Sequence, residues 1–115
     1  METISVPEGS QVKLQVSISS DALVATNIRI GSTITSSKQY KFNKDLGNIS
    51  DLENSKITIG SNFFVSDDNI NQIMNATQVT FKILHDGESQ ELSVQKKKRT
   101  DDFFTIYSYA KFIKS

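Results

Sequence analysis

The sequence predicts an all-β fold, a mainly antiparallel β-sandwich or barrel with one short α-helix near residues 67–76. Three observations carry this. Asp86-Gly87 is a two-residue hairpin signal, because a type I′ turn needs positive φ at both central residues. Around it the chain counts out in register: Phe81 opposite Leu92 and Val79 opposite Val94 on one face, Lys82 opposite Glu91 and Thr80 opposite Ser93 on the other. Apolar pairs on one side and polar pairs on the other are what a half-buried antiparallel ribbon requires. Second, Val12, Leu14, Val16 and Ile18 alternate with polar residues, the period-two signature of a strand with one buried face. Third, the one clear helix candidate carries Ile70, Ile73 and Met74 as a single apolar stripe.

Taken in order, Thr3 to Val6 reads as an edge strand closed by the turn chemistry of Pro7-Glu8-Gly9-Ser10. After Val12 to Ile18, Leu23 to Ile30 forms the next strand, with Val24, Thr26, Ile28 and Ile30 on one face and Gly31-Ser32 ending it. A short run follows at Gln39 to Phe42. Asn43 to Ser55, rich in Asp, Asn, Gly and Ser, reads as a loop with a short helical turn anchored by Leu46, Ile49 and Leu52. Lys56 to Ile59 and Phe63 to Val65 are strands separated by Gly60-Ser61-Asn62. The helix runs from Ser66 to Ala76, with Ser66 as N-cap and Asp67 and Asp68 favoured by the helix dipole. In Phe103 to Ile113 the period fits two readings: Phe103, Ile106, Tyr107, Ala110 and Ile113 share a helical face, but Phe, Thr, Ile and Tyr crowd the segment and favour a strand.

The 115 residues suit one β domain spanning 1–115, with a radius of gyration of about 13 Å and a core that needs no covalent staples. With no cysteine, disulfides and thiolate metal sites are excluded. Thirteen basic and thirteen acidic residues cancel, and neither half carries an excess that would draw nucleic acid or an anionic membrane. The N-terminus lacks a basic region and apolar run of the signal-peptide kind, and no run reaches the length of a membrane span. The expectation is a soluble protein, cytoplasmic by default.

Candidate chemistry is sparse, and each motif has a plain structural explanation. Lys96-Lys97-Lys98-Arg99 imitates a phosphate-binding patch, but Asp101 and Asp102 halve its charge and lysines commonly protect strand ends. Asp67-x-Asn69-x-Asn71 begins like a calcium loop and then fails, with Gln72 where Gly belongs and Gln78 where Glu belongs. His85, the only histidine, flanks the hairpin turn at an exposed position, and no nucleophile-elbow pattern accompanies the serines. Asp45, Asp51 and Glu53 lie in the loop-like segment, a poor place to hold catalytic carboxylates rigidly. The sequence therefore predicts no catalytic residues, no metal and no cofactor.

Phe103 to Ile113 is apolar on both faces. If Arg99 turns back to face Asp102, Val94 lies opposite Tyr107 and Leu92 opposite Tyr109, so the tyrosines join the core. Phe104, Ile106 and Phe112 are then left on the wet face, the expected interface with another protein chain or a second copy. The resulting expectation is a non-enzymatic structural or protein-interaction module, for example a subunit of a larger assembly, binding through the C-terminal strand. The alternative is a carbohydrate- or small-ligand-binding β-sandwich that stacks its ligand on Tyr40, Tyr107 or Tyr109.

Overall fold

The fold is a mainly antiparallel two-sheet sandwich, described for residues 2–66 and 69–115 in a computed structural model. Its strands are β1 (Glu2–Val6), β2 (Gln11–Ser19), β3 (Leu23–Ile30), β4 (Thr33–Ser37), β5 (Lys41–Asn48), β6 (Lys56–Phe64), β7 (Gln78–His85), β8 (Glu88–Glu91), β9 (Gln95–Lys98) and β10 (Phe103–Lys114). Two short helices interrupt them, α1 (Ile49–Leu52) and α2 (Ile70–Ala76). One sheet runs β1-β10-β6-β3-β4, with β9 sharing the outer edge of β10, and the other runs β5-β2-β7-β8. We call these sheet A and sheet B.

The predicted hairpin forms. Asp86 and Gly87 both have positive φ, and Lys82 pairs with Glu91 and His85 with Glu88, as the turn chemistry demands. The Leu92 amide donates to the Phe81 carbonyl at 2.8 Å, which extends the register by one pair. There it stops. Val79 pairs with Ile18 of β2 instead of Val94, and the Ser93 amide donates to the Glu2 carboxylate.

Beyond Leu92 the chain leaves sheet B, and β9 and β10 belong to sheet A. Within that second hairpin Tyr107 faces Gln95, not Val94. Such a one-residue offset exchanges the two faces of a strand. Phe104, Ile106 and Phe112 are consequently 0% exposed and face the interior, where Phe104 stacks on Phe63 at 4.9 Å. They are not the partner-facing residues; Tyr107 and Tyr109 occupy the outer face.

Three further elements differ from the sequence reading. Sheet pairing extends β5 through Asn48 despite its polar composition, with an irregularity opposite Val12/Lys13 and Gly47 at φ +111. Strand β6 is continuous through Gly60-Ser61-Asn62, because the inward Ser61 hydroxyl pairs with Thr26 at 2.7 Å and Asn62 accepts from Thr105 at 2.7 Å. Helix α2 starts at Ile70, with Asn69 rather than Ser66 as N-cap; Asp67 and Asp68 lie outside the described residues. The strand β4 had no sequence signal beyond Thr33-Ile34-Thr35.

The core lies between the sheets. Val12, Leu14, Val16, Ile18, Phe81 and Ile83 from sheet B meet Ile4, Ile57, Ile59, Phe63, Phe104 and Phe112 from sheet A. The radius of gyration, 14.7 Å, exceeds the compact expectation because the molecule is long, 49 × 26 × 21 Å. The twelve-residue β10, about 40 Å at 3.3–3.4 Å per residue, sets that length.

Candidate interaction surface

The two outer faces of the sandwich differ in kind. Sheet B presents Lys13, Gln15 and Ser17 from β2, Lys41 and Asn43 from β5, and Thr80 and Lys82 from β7, a surface built for water. Sheet A is also polar over much of its outer face, with Asn27, Arg29, Lys56 and Thr58 exposed, but one end carries apolar side chains. Leu23, Phe64 and Phe103 fall in one row across β3, β6 and β10, because Leu23 pairs with Phe64 and Phe64 with Phe103. Their strand neighbours Val24, Phe63 and Phe104 are buried, so alternation forces the row outward. Leu23 is 73% exposed and Phe64 48%. The Phe64 and Phe103 rings stack with centroids 5.8 Å apart, which fixes their orientation before any contact.

A depression of about 450 Å³ adjoins the row, lined in part by Phe64, Val65, Ile73, Asp21 and Asp102. Neither carboxylate has an ion-pair partner among the described residues. On the other side the row meets a polar band, where Thr105 bridges Asn62 and Arg99. The arrangement is an apolar strip with an acidic margin and a hydrogen-bonded border.

The sequence held a signal for it. Phe63-Phe64 and Phe103-Phe104 are adjacent aromatics in strands, and adjacent strand residues point to opposite faces. One ring of each pair had to face outward.

The remaining candidates resolve into structural roles. His85 is buried, contrary to the sequence reading; Phe81, Ile83 and His85 share the inward face of β7. The Ser10 hydroxyl donates to Asp86, whose carboxylate lies 3.5 Å from His85 Nδ1. Nucleophile activation needs the imidazole between serine and carboxylate. Here the carboxylate stands between the other two, so the cluster ties the β1–β2 turn to the hairpin tip. The Ser10 hydrogen bond, followed by the neighbouring His85, holds Asp86 below the ordinary carboxylate pKa. No group of three or more metal-ligating side chains occurs among the described residues.

The basic run is engaged with its own fold. Lys96 Nζ donates to the Thr77 carbonyl at 2.7 Å and the Met74 carbonyl at 3.0 Å, closing the C-terminal end of α2. Lys98 lies 3.5 Å from Asp101, and the Arg99 guanidinium sits 5.9 Å from the Tyr107 ring centre. That contact occupies Tyr107, while Tyr40 lies between β4 and β5 with its hydroxyl donating to the Ala22 carbonyl at 2.6 Å. The three tyrosines therefore form no common stacking platform; Tyr109, 42% exposed, stands beside Tyr107 on the outer face of β10.

Among the described residues, no helix is long and apolar enough to cross a membrane. The chain matches no protein-family model, no curated protein and no solved structure.

Proposed function

We propose that this chain is a protein-interaction module, a subunit of a larger assembly, that docks through the outer face of sheet A. The observation that carries the reading is the Leu23–Phe64–Phe103 row, with Leu23 and Phe64 exposed and Phe103 half-buried, on one face of a sandwich whose opposite face is polar. Large apolar side chains grouped on a surface mark sites of association. Aromatic anchors bordered by polar groups are the usual composition of an interface centre and its rim. Asp21 and Asp102 define the partner's chemistry: an aliphatic or aromatic side chain flanked by lysine or arginine. Association with such a surface weakens as salt rises, since the acidic margin is exposed.

Photo-crosslinking tests this in the producing cell. With p-benzoylphenylalanine in place of Phe64, the expected result is a discrete protein adduct that is lost on Leu23→Ser. The same group in place of Lys82, on the outer face of sheet B, gives none. Equal adduct formation from both faces, or none from Phe64, contradicts the reading.

A further inference from the structure

Sheet ends expose unpaired backbone groups, and proteins protect them with charge, bulges or covering segments. Most edges here are protected. Strand β8 carries Glu88 and Glu91, and β9 carries Lys96, Lys97 and Lys98. Strand β5 carries Lys41, Lys44 and Asp45 and faces an irregularity in β2. Strand β1 is stitched to the segment around β8, through Gln90 Nε2 donating to the Thr3 carbonyl at 3.1 Å and the Ser93 amide donating to Glu2 at 2.9 Å. Strand β4, Thr33-Ile34-Thr35-Ser36-Ser37, is the exception: no charge, no proline and no bulge against β3.

The space beside β4 is also unusual. Opposite the stitched β1–β8 side, the edges of β4 and β5 border a cleft of about 220 Å³. Ile28, Ile30, Leu46 and Leu52 give it apolar walls, with Thr33 and Thr35 on the β4 side and the charged Lys44 and Asp45 on the β5 side. Thr33 and Thr35 pair with Ile30 and Ile28, so they lie on the inward face of the strand. An open backbone edge next to an apolar slot is what β-strand addition uses: main-chain bonds give affinity, and alternate side chains fill the slot.

We propose that β4 accepts an extended strand from a partner protein, one with apolar residues at alternate positions that enter the cleft between β4 and β5. A second copy of β4 is the poorer occupant, because its inward-facing Thr33, Thr35 and Ser37 would set hydroxyls, not apolar side chains, against Ile28, Ile30, Leu46 and Leu52. The inference rests on the reading of the chain as an interaction module but uses a separate surface. Substitutions at Leu23 and Phe64 therefore leave it intact.

The test titrates the purified full chain with an eight-residue peptide of alternating valine and threonine, capped by lysines, and follows backbone amides by NMR. The expected result is saturable shifts centred on Thr33–Ser37 and Leu46. Binding should weaken at least tenfold when alternate peptide amides are N-methylated, at least tenfold with Thr35→Lys, and not at all with Leu23→Ser. If Thr35→Lys does not fold, the N-methylated peptide against the wild type decides alone. No saturation at millimolar peptide, equal binding of the N-methylated form, or a solution dimer crosslinked β4 to β4 overturns the proposal. Failure here with a surviving Phe64 adduct removes the strand-acceptor site alone; loss of that adduct with peptide binding intact removes the outer-face reading alone.

Discussion

Asp86 shows how a single side chain joins distant parts of this chain. Its positive φ makes the turn, and its carboxylate receives the Ser10 hydroxyl from the first turn of the molecule. A carboxyl pKa depressed by folding stabilises the fold above the unfolded pKa, and that contribution is lost as pH falls through the folded value. Ser10→Ala should therefore raise the Asp86 pKa in an NMR titration and shrink the gain in urea midpoint between acid and neutral pH. Other hydroxyls matter by pairing. Thr26 and Ser61 are fully buried and, among the described residues, their hydroxyls bond only to each other across β3 and β6, so Thr26→Val should cost about 1–3 kcal/mol by stranding the Ser61 hydroxyl. Adding Ser61→Ala should recover most of it in urea unfolding. Ser108 is the contrary case, since its buried Oγ has no partner among the described residues. Ser108→Ala should be neutral or stabilising by up to about 1 kcal/mol.

At the scale of elements, legibility followed the range of the interactions involved. The β7–β8 register was readable because turn residues and cross-strand pairs all lie within a few positions of Asp86. Phe81→Ala should cost roughly 3–5 kcal/mol, as for any fully buried phenylalanine. The face of β10 was not readable. Its apolar residues alternate on both sides, and only the choice of sheet, settled by contacts with β6 about forty or more positions away, decides which side is interior. Strand β5 escaped for a similar reason: its pairing with β2 outweighs a composition of Lys, Asn, Asp and Gly. The basic run looked like a site because sequence cannot show that Lys96 reaches the end of α2. Lys96→Met should lower stability by about 0.5–1.5 kcal/mol, with the earliest loss in the amide protection of α2.

For the whole molecule, the unequal outer faces are the main result. Sheet B ends in water, while one end of sheet A carries the Leu23–Phe64–Phe103 row, which the fold leaves partly uncovered. Part of that surface was visible in the paired phenylalanines, yet its assembly from β3, β6 and β10 depended on topology. Strands β10 and β6 divide into an inner side that holds the fold and an outer side that leaves Phe64 exposed. Urea unfolding of Phe104→Ser beside Phe64→Ser tests this division most directly. Phe104→Ser should lose at least about 3 kcal/mol or fail to fold, because it opens a cavity and buries a hydroxyl. Phe64→Ser should lose no more than about 2 kcal/mol and stay folded, since it removes a half-exposed ring and one stacking contact. A stable Phe104→Ser, or a Phe64→Ser that unfolds, would contradict the account.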